Sequence, residues 1–149
     1  MEVYHLGLAI YAKQLSGEGA KLHGGRWNLI GHPCIYTAET KALCALEYAA
    51  NVLLAEMPYN LSFTTYLIPD EHWGVFDVKS LPHGWQQTPA PQATKEWGTK
   101  HLLNHLALKL PSVVIPSEFN FIINTLHPDF KKVRIKEVES FTFDRRIKQ

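Results

Sequence analysis

The sequence predicts an α+β fold in one domain spanning residues 1–149. Three observations carry that expectation. Strand-like and helical segments do not alternate regularly, and the C-terminal half is β-rich, which disfavours a regularly wound α/β sheet. A length of 149 residues supports a sizeable core without disulfide or metal support. An apolar share of 46% against 19% charged is that of an ordinary globular chain.

The elements follow in order. "EVYHLGL" alternates loosely and reads as a first strand. "YAKQLSGEGAKLHGGRWN" is broken by four glycines, so a short helix or turn leads into a loop. "PCIYTA" is a short strand with Pro33 at its start, where proline is tolerated. Thr40 then caps a helix running from Lys41 to about Glu56, which Pro58 terminates. "LSFTTYLIP" and "WGVFDV" read as strands. Pro82 to Pro91 is punctuated by proline, glycine and glutamine and reads as a surface loop. "ATKEWGTKHLLNHLALKL" is helical, with Gly98 costing about 1 kcal/mol relative to alanine. Four short strands are expected after it: "PSVVIPS", "FNFIINT", "VRIKEVE" and "SFTFDRRI".

Several function classes are disfavoured. A net charge of +1, with scattered cations, leaves no electrostatic footprint for nucleic acid. Cys34 and Cys44 fit neither a disulfide framework nor a metal spacing. His101 and His105 stand at i, i+4 but lack the glutamate of an H-E-x-x-H site, so no metal is expected. There is no P-loop, no G-x-G-x-x-G and no G-x-S-x-G around a serine nucleophile. The N-terminus does not resemble a signal peptide, and no apolar run reaches the ~20 residues of a membrane span. A cytoplasmic protein with reduced thiols is the expectation.

Glu47 is the residue that asks for a function. Leu43, Leu46, Ala50, Leu53 and Leu54 surround it at helical spacings, and a carboxylate on an apolar face is costly unless partnered. Upstream, Gly24-Gly25 permits close backbone approach, and Arg26 carries a fork suited to phosphate or carboxylate. Tyr36 lies mid-strand, while Ser112 and Asn120 interrupt the apolar C-terminal strands. Taken singly, each has a plain structural reading as turn, core or cap.

In combination they resemble a known family. The stretches "GEGAKLHGGRWNLIGHPCIYTAETKALCALE", "LPSVVIPSEFNFIINTLHPDF" and "FTFDRRI" look like the RES-domain family of bacterial toxins, over nearly the whole chain. The resemblance implies a compact domain similar to the ADP-ribosyltransferase fold of diphtheria toxin, with NAD⁺ in a central cleft. It implies NAD⁺ as a substrate, not a prosthetic group, cleaved at the nicotinamide–ribose bond. The ADP-ribose then passes to water, phosphate or protein.

By position, Arg26, Tyr36 and Glu47 match the family's central polar set, Ser112 its named serine, and Asn120 the same C-terminal motif. Glu47 would face the oxocarbenium-like transition state. Arg26 would pair with the pyrophosphate or hold Glu47 ionised, and Tyr36 would offer a face to nicotinamide. Ser112 and Asn120 would bond ribose or carboxamide. His5 stands where many relatives carry arginine; a hold on the adenosine ribose is implied for it. An Xre-like helix-turn-helix antitoxin covering the cleft is the implied partner, and any DNA binding belongs to that partner. Two other readings stay open: an endoribonuclease toxin using histidines as acid and base, and a non-catalytic interaction module with a decayed site.

Overall fold

Seven strands build one sheet in the computed structural model, which describes residues 1–147. They are β1 (Glu2–Leu8), β2 (Ile35–Ala38), β3 (Leu61–Leu67), β4 (Trp73–Val75), β5 (Ala107–Pro111), β6 (Phe119–Ile123) and β7 (Arg134–Phe141). The order across the sheet is β4-β5-β6-β2-β1-β3-β7. Every pairing is antiparallel except β4 with β5. The helices are α1 (Glu18–His23), α2 (Lys41–Asn51) and α3 (Gln92–Leu102). This is the expected α+β architecture.

The central strands are apolar because both faces are covered. Leu106, Leu108, Leu110, Phe121, Ile122 and Ile123 have no exposed surface. Around Leu108, Leu110 and Ile122 gather Trp27, Trp85 and Leu102, joining α3 and the G-G-R-W-N loop to the sheet. Leu43 and Cys44 of α2 pack with Leu6, Ala38 and Phe63. Thr40 caps α2 as expected, its hydroxyl accepting from the Leu43 amide at 3.0 Å.

Gly98 is no weak point. A Cβ there would collide with the backbone of Trp27, so its absence lets α3 close onto the loop that carries Arg26.

Five sequence expectations need correction. The α2 helix ends at Asn51 because Val52 turns extended (φ −123°, ψ 133°), leaving Leu54–Glu56 as a separate 3₁₀ turn. Leu46 and Leu53 are exposed, so Glu47 stands at the border of the core, not inside an apolar face. The helix expected through Leu110 stops at Leu102, and its tail becomes β5, buried between β4 and β6. A short apolar run with both periodicities is decided by such non-local pairing. "PSVVIPS" is not a strand beyond Pro111; it forms the connection between β5 and β6. "VRIKEVE" and the start of "SFTFDRRI" fuse into one edge strand, β7, paired with β3 across a bulge at Thr65/Tyr66.

Candidate active site

A cleft of about 1200 Å³ opens beside β1, β2 and α2. His5, Arg26, Tyr36, Glu47 and Asn120 all line it. Five of the six residues singled out in the sequence therefore converge on one cavity.

Glu47 projects from the middle of α2 and is half-buried. Ser112 Oγ donates to its Oε1 at 2.7 Å, and Asn120 Nδ2 donates to its Oε2 at 2.8 Å. Each carboxylate oxygen is thus fixed by one donor. Burial raises the Glu47 pKa, opposed by the bonds from Ser112 and Asn120 and then by the positive charge of Arg26. Both neighbours donate, so these two bonds favour the ionised form that accepts from them, against the larger effect of burial.

Ser112 itself has no exposed surface. Its Oγ also accepts from the amides of Val114 and Ile115 at 3.0 and 3.1 Å, closing the turn that the sequence presented as a strand. It stands behind the carboxylate and positions it, where the resemblance implied a bond to substrate.

The β2 strand presents Tyr36, whose hydroxyl donates to Asn28 Oδ1 at 2.6 Å and accepts from the Trp27 amide at 3.0 Å. Burial pushes the Tyr36 pKa well above the usual phenol range, so it stays protonated. The two glycines before Arg26 divide the work. Gly24 adopts φ +69°, and a Cβ on Gly25 would lie 2.5 Å from Tyr36 Oη.

Arg26 makes no ion pair with Glu47 among the described residues. Its Nη1 donates to the carbonyls of Trp85 (2.8 Å) and Gln87, and its Nη2 to Thr88 Oγ1 at 3.0 Å. The guanidinium therefore straps the Trp85–Thr88 loop to the cleft while its charge acts on Glu47 at longer range. Stacking of Trp85 on Trp27, centroids 6.0 Å apart, holds the same loop from below.

On β1, His5 Nδ1 lies 2.9 Å from the Tyr36 carbonyl. A carbonyl only accepts, so Nδ1 carries the proton and Nε2 is left as an acceptor. Burial lowers the His5 pKa, which keeps the ring neutral near pH 7. The thiols of Cys34 and Cys44 also border the cleft, but burial pushes both up to about 12, which removes them as nucleophiles. His101 and His105 lie elsewhere, packed around Phe76 with His105 Nδ1 bonded to the His101 carbonyl at 2.7 Å.

The model of the RES domain matches residues 3–144. The chain belongs to the RES domain family. Among its RES relatives, the Prs ADP-ribosylating toxin of Sphingobium sp. (strain YBL2) is 34% identical, covering 91% of this chain and 88% of that one. Toxin Res of Photorhabdus laumondii is 33% identical over 89% of this chain and 86% of its own length. Toxin Res of Yersinia enterocolitica is 31% identical over 99% and 100%. In fold, this RES chain is similar to the M. tuberculosis MbcT–MbcA toxin–antitoxin complex, at a TM-score of 0.69 and 17% identity. That match covers 95% of this chain and 84% of the other.

Sequence reasoning missed Asn28, the fully buried hub of the G-G-R-W-N loop. Its Nδ2 reaches the carbonyls of Ala20, Leu29 and His32 while Oδ1 receives Tyr36. The signal was an amide beside Trp27, inside the quoted G-G-R-W-N. The Trp85–Thr88 strap gave none, since it lies about sixty residues from Arg26.

Proposed function

We propose that this chain is a toxin that cleaves NAD⁺ at the nicotinamide–ribose bond and is held in check by an antitoxin that covers the cleft. The observation that carries the reading is the Glu47 carboxylate, fixed by Ser112 and Asn120 at the wall of a cleft large enough for a dinucleotide. Nicotinamide leaves with the electron pair of the C1′–N1 bond, and positive charge develops on the ribose. A fixed carboxylate is worth more against that transition state than against the neutral ribose of the ground state. Because Glu47 is already oriented, little reorganisation accompanies the reaction. The Tyr36 ring supplies a rigid aromatic wall, and the neutral Nε2 of His5 accepts from a ribose hydroxyl. Water, phosphate or a protein side chain then adds to C1′ and loses its proton.

Support from relatives is of two kinds: a homologue named as an ADP-ribosylating toxin, and a structural likeness to a toxin–antitoxin complex. The near-neutral charge weighs against the ribonuclease reading. The test is induced expression without an antitoxin, with NAD⁺ and total RNA followed together. Growth arrest with falling NAD⁺ and intact RNA is expected. Arrest with RNA cleaved and NAD⁺ unchanged would contradict the proposal.

A further inference from the structure

We infer that Lys95 is the cation that receives the diphosphate of the dinucleotide, an assignment that rests on the NAD⁺ reading above. Among lysines and arginines, Arg26 and Lys95 line the cleft. By residue type, Arg26 is the obvious ligand for a diphosphate. Its fork, however, is spent on the protein: three of its five N–H groups serve Trp85, Gln87 and Thr88. Two N–H groups remain, but turning the whole fork onto a phosphate would release the loop that walls the cleft.

Lys95 is differently placed. It is half-buried in the first turn of α3 and has no carboxylate partner among the described residues. The neighbouring Gln92 amide is engaged with Glu96 at 3.3 Å, so that nearby carboxylate is directed along the helix. Lys95 also stands on the wall between the cleft and a smaller hollow of about 380 Å³ bordered by Gly24 and Ile30. An ammonium on a flexible stem at that boundary swings into the cleft without disturbing a hydrogen bond. Its helix begins at Pro91 with no side-chain cap, so the positive end of α3 adds its field to the same corner. Glu47 takes the reacting ribose, Arg26 builds the wall, and Lys95 meets the two negative charges of the diphosphate.

The experiment titrates NAD⁺, ADP, inorganic phosphate and nicotinamide into the wild type and into Lys95→Ala, Lys95→Arg and Lys95→Glu, by calorimetry at low salt and at 0.15 M. Loss of one charge-assisted contact weakens NAD⁺ and ADP binding about 10-fold in Lys95→Ala, with a larger loss in Lys95→Glu and recovery in Lys95→Arg. Nicotinamide, which has no phosphate, binds all four alike. The Lys95-dependent share of affinity shrinks at higher salt. Phosphate competing with NAD⁺ but not with ADP would place Lys95 at an acceptor site and overturn the assignment. So would equal ADP affinity in wild type and Lys95→Ala, an equal loss for nicotinamide, or no ADP binding by the wild type. In turnover, Lys95→Ala raises KM and spares kcat. NAD⁺ consumption with unchanged KM in that variant refutes the Lys95 role alone. Lys95-dependent binding without cleavage refutes the proposed reaction alone.

Discussion

Replacing Ser112 by alanine removes three hydrogen bonds at a position with no exposed surface. Oγ donates to the Glu47 carboxylate and accepts from two successive amides, so the loss falls on a turn and on a charge together. An orphaned buried N–H costs about 1–3 kcal/mol, and a bond to a charged group contributes about 1.5–3. Because the two amides share one acceptor, a combined cost of about 3 kcal/mol is the reasonable expectation. At about 2–4 °C per kcal/mol for a domain of this size, Tm falls by about 6–12 °C. A second consequence is specific to the site. The Ser112 bond lowers the Glu47 pKa against the effect of burial, so without it the carboxyl is protonated at higher pH. The acid limb of the pH–activity profile therefore moves up. Thermal melting and a pH–rate series on the same preparation check both effects. An unchanged Tm, or an acid limb that stays where it was, would refute the assignment of Ser112 as the positioner of Glu47.

Three further outcomes are expected. Gly98→Ala destabilises by about 2 kcal/mol or more despite alanine's higher helix propensity, because its Cβ meets the Trp27 backbone; a denaturant midpoint at or above the wild type's contradicts this. Tyr36→Phe leaves the Trp27 amide and Asn28 Oδ1 without their partner and costs about 1–3 kcal/mol, read by the same titration. Glu47→Gln changes the pH dependence of stability with a defined sign. The native Glu47 pKa is raised, so between the unfolded and native values the native state holds a proton that the unfolded state has lost. Wild-type stability thus falls as pH rises through that window, and the difference between Glu47→Gln and wild type shifts in the variant's favour from about pH 4 upward. Melting curves across pH check it; a difference independent of pH contradicts it.

Much of this was legible because it is local. The α2 cap at Thr40 and the strands β1 and β3 follow from neighbours in the chain. What escaped is set by partners far away in sequence. The run after Leu102 fits a helix and a strand equally, and β4 and β6 decide for the strand. Gly98 looked like a defect because its reason, the Trp27 backbone, is remote. The hydrogen-bond partners of Arg26 and Ser112 escaped for the same cause. Residue type announced a phosphate fork and a substrate hydroxyl, but the strap at Trp85–Thr88 and the turn at Val114–Ile115 claim them first. Asn28 was visible within G-G-R-W-N, yet nothing local distinguishes an amide that organises a loop from one that merely ends it.

The central claim is that Glu47 breaks a glycosidic bond, and nicotinamide release tests it most directly. Purified chain without a partner is incubated with NAD⁺ beside Glu47→Gln, whose shape is conserved and whose charge is gone. Release of one nicotinamide per NAD⁺ lost, falling by about 10²–10³-fold in the variant, is the predicted result. Equal release by both proteins, or NAD⁺ left intact by the wild type with water, phosphate and cell lysate all supplied, would contradict it.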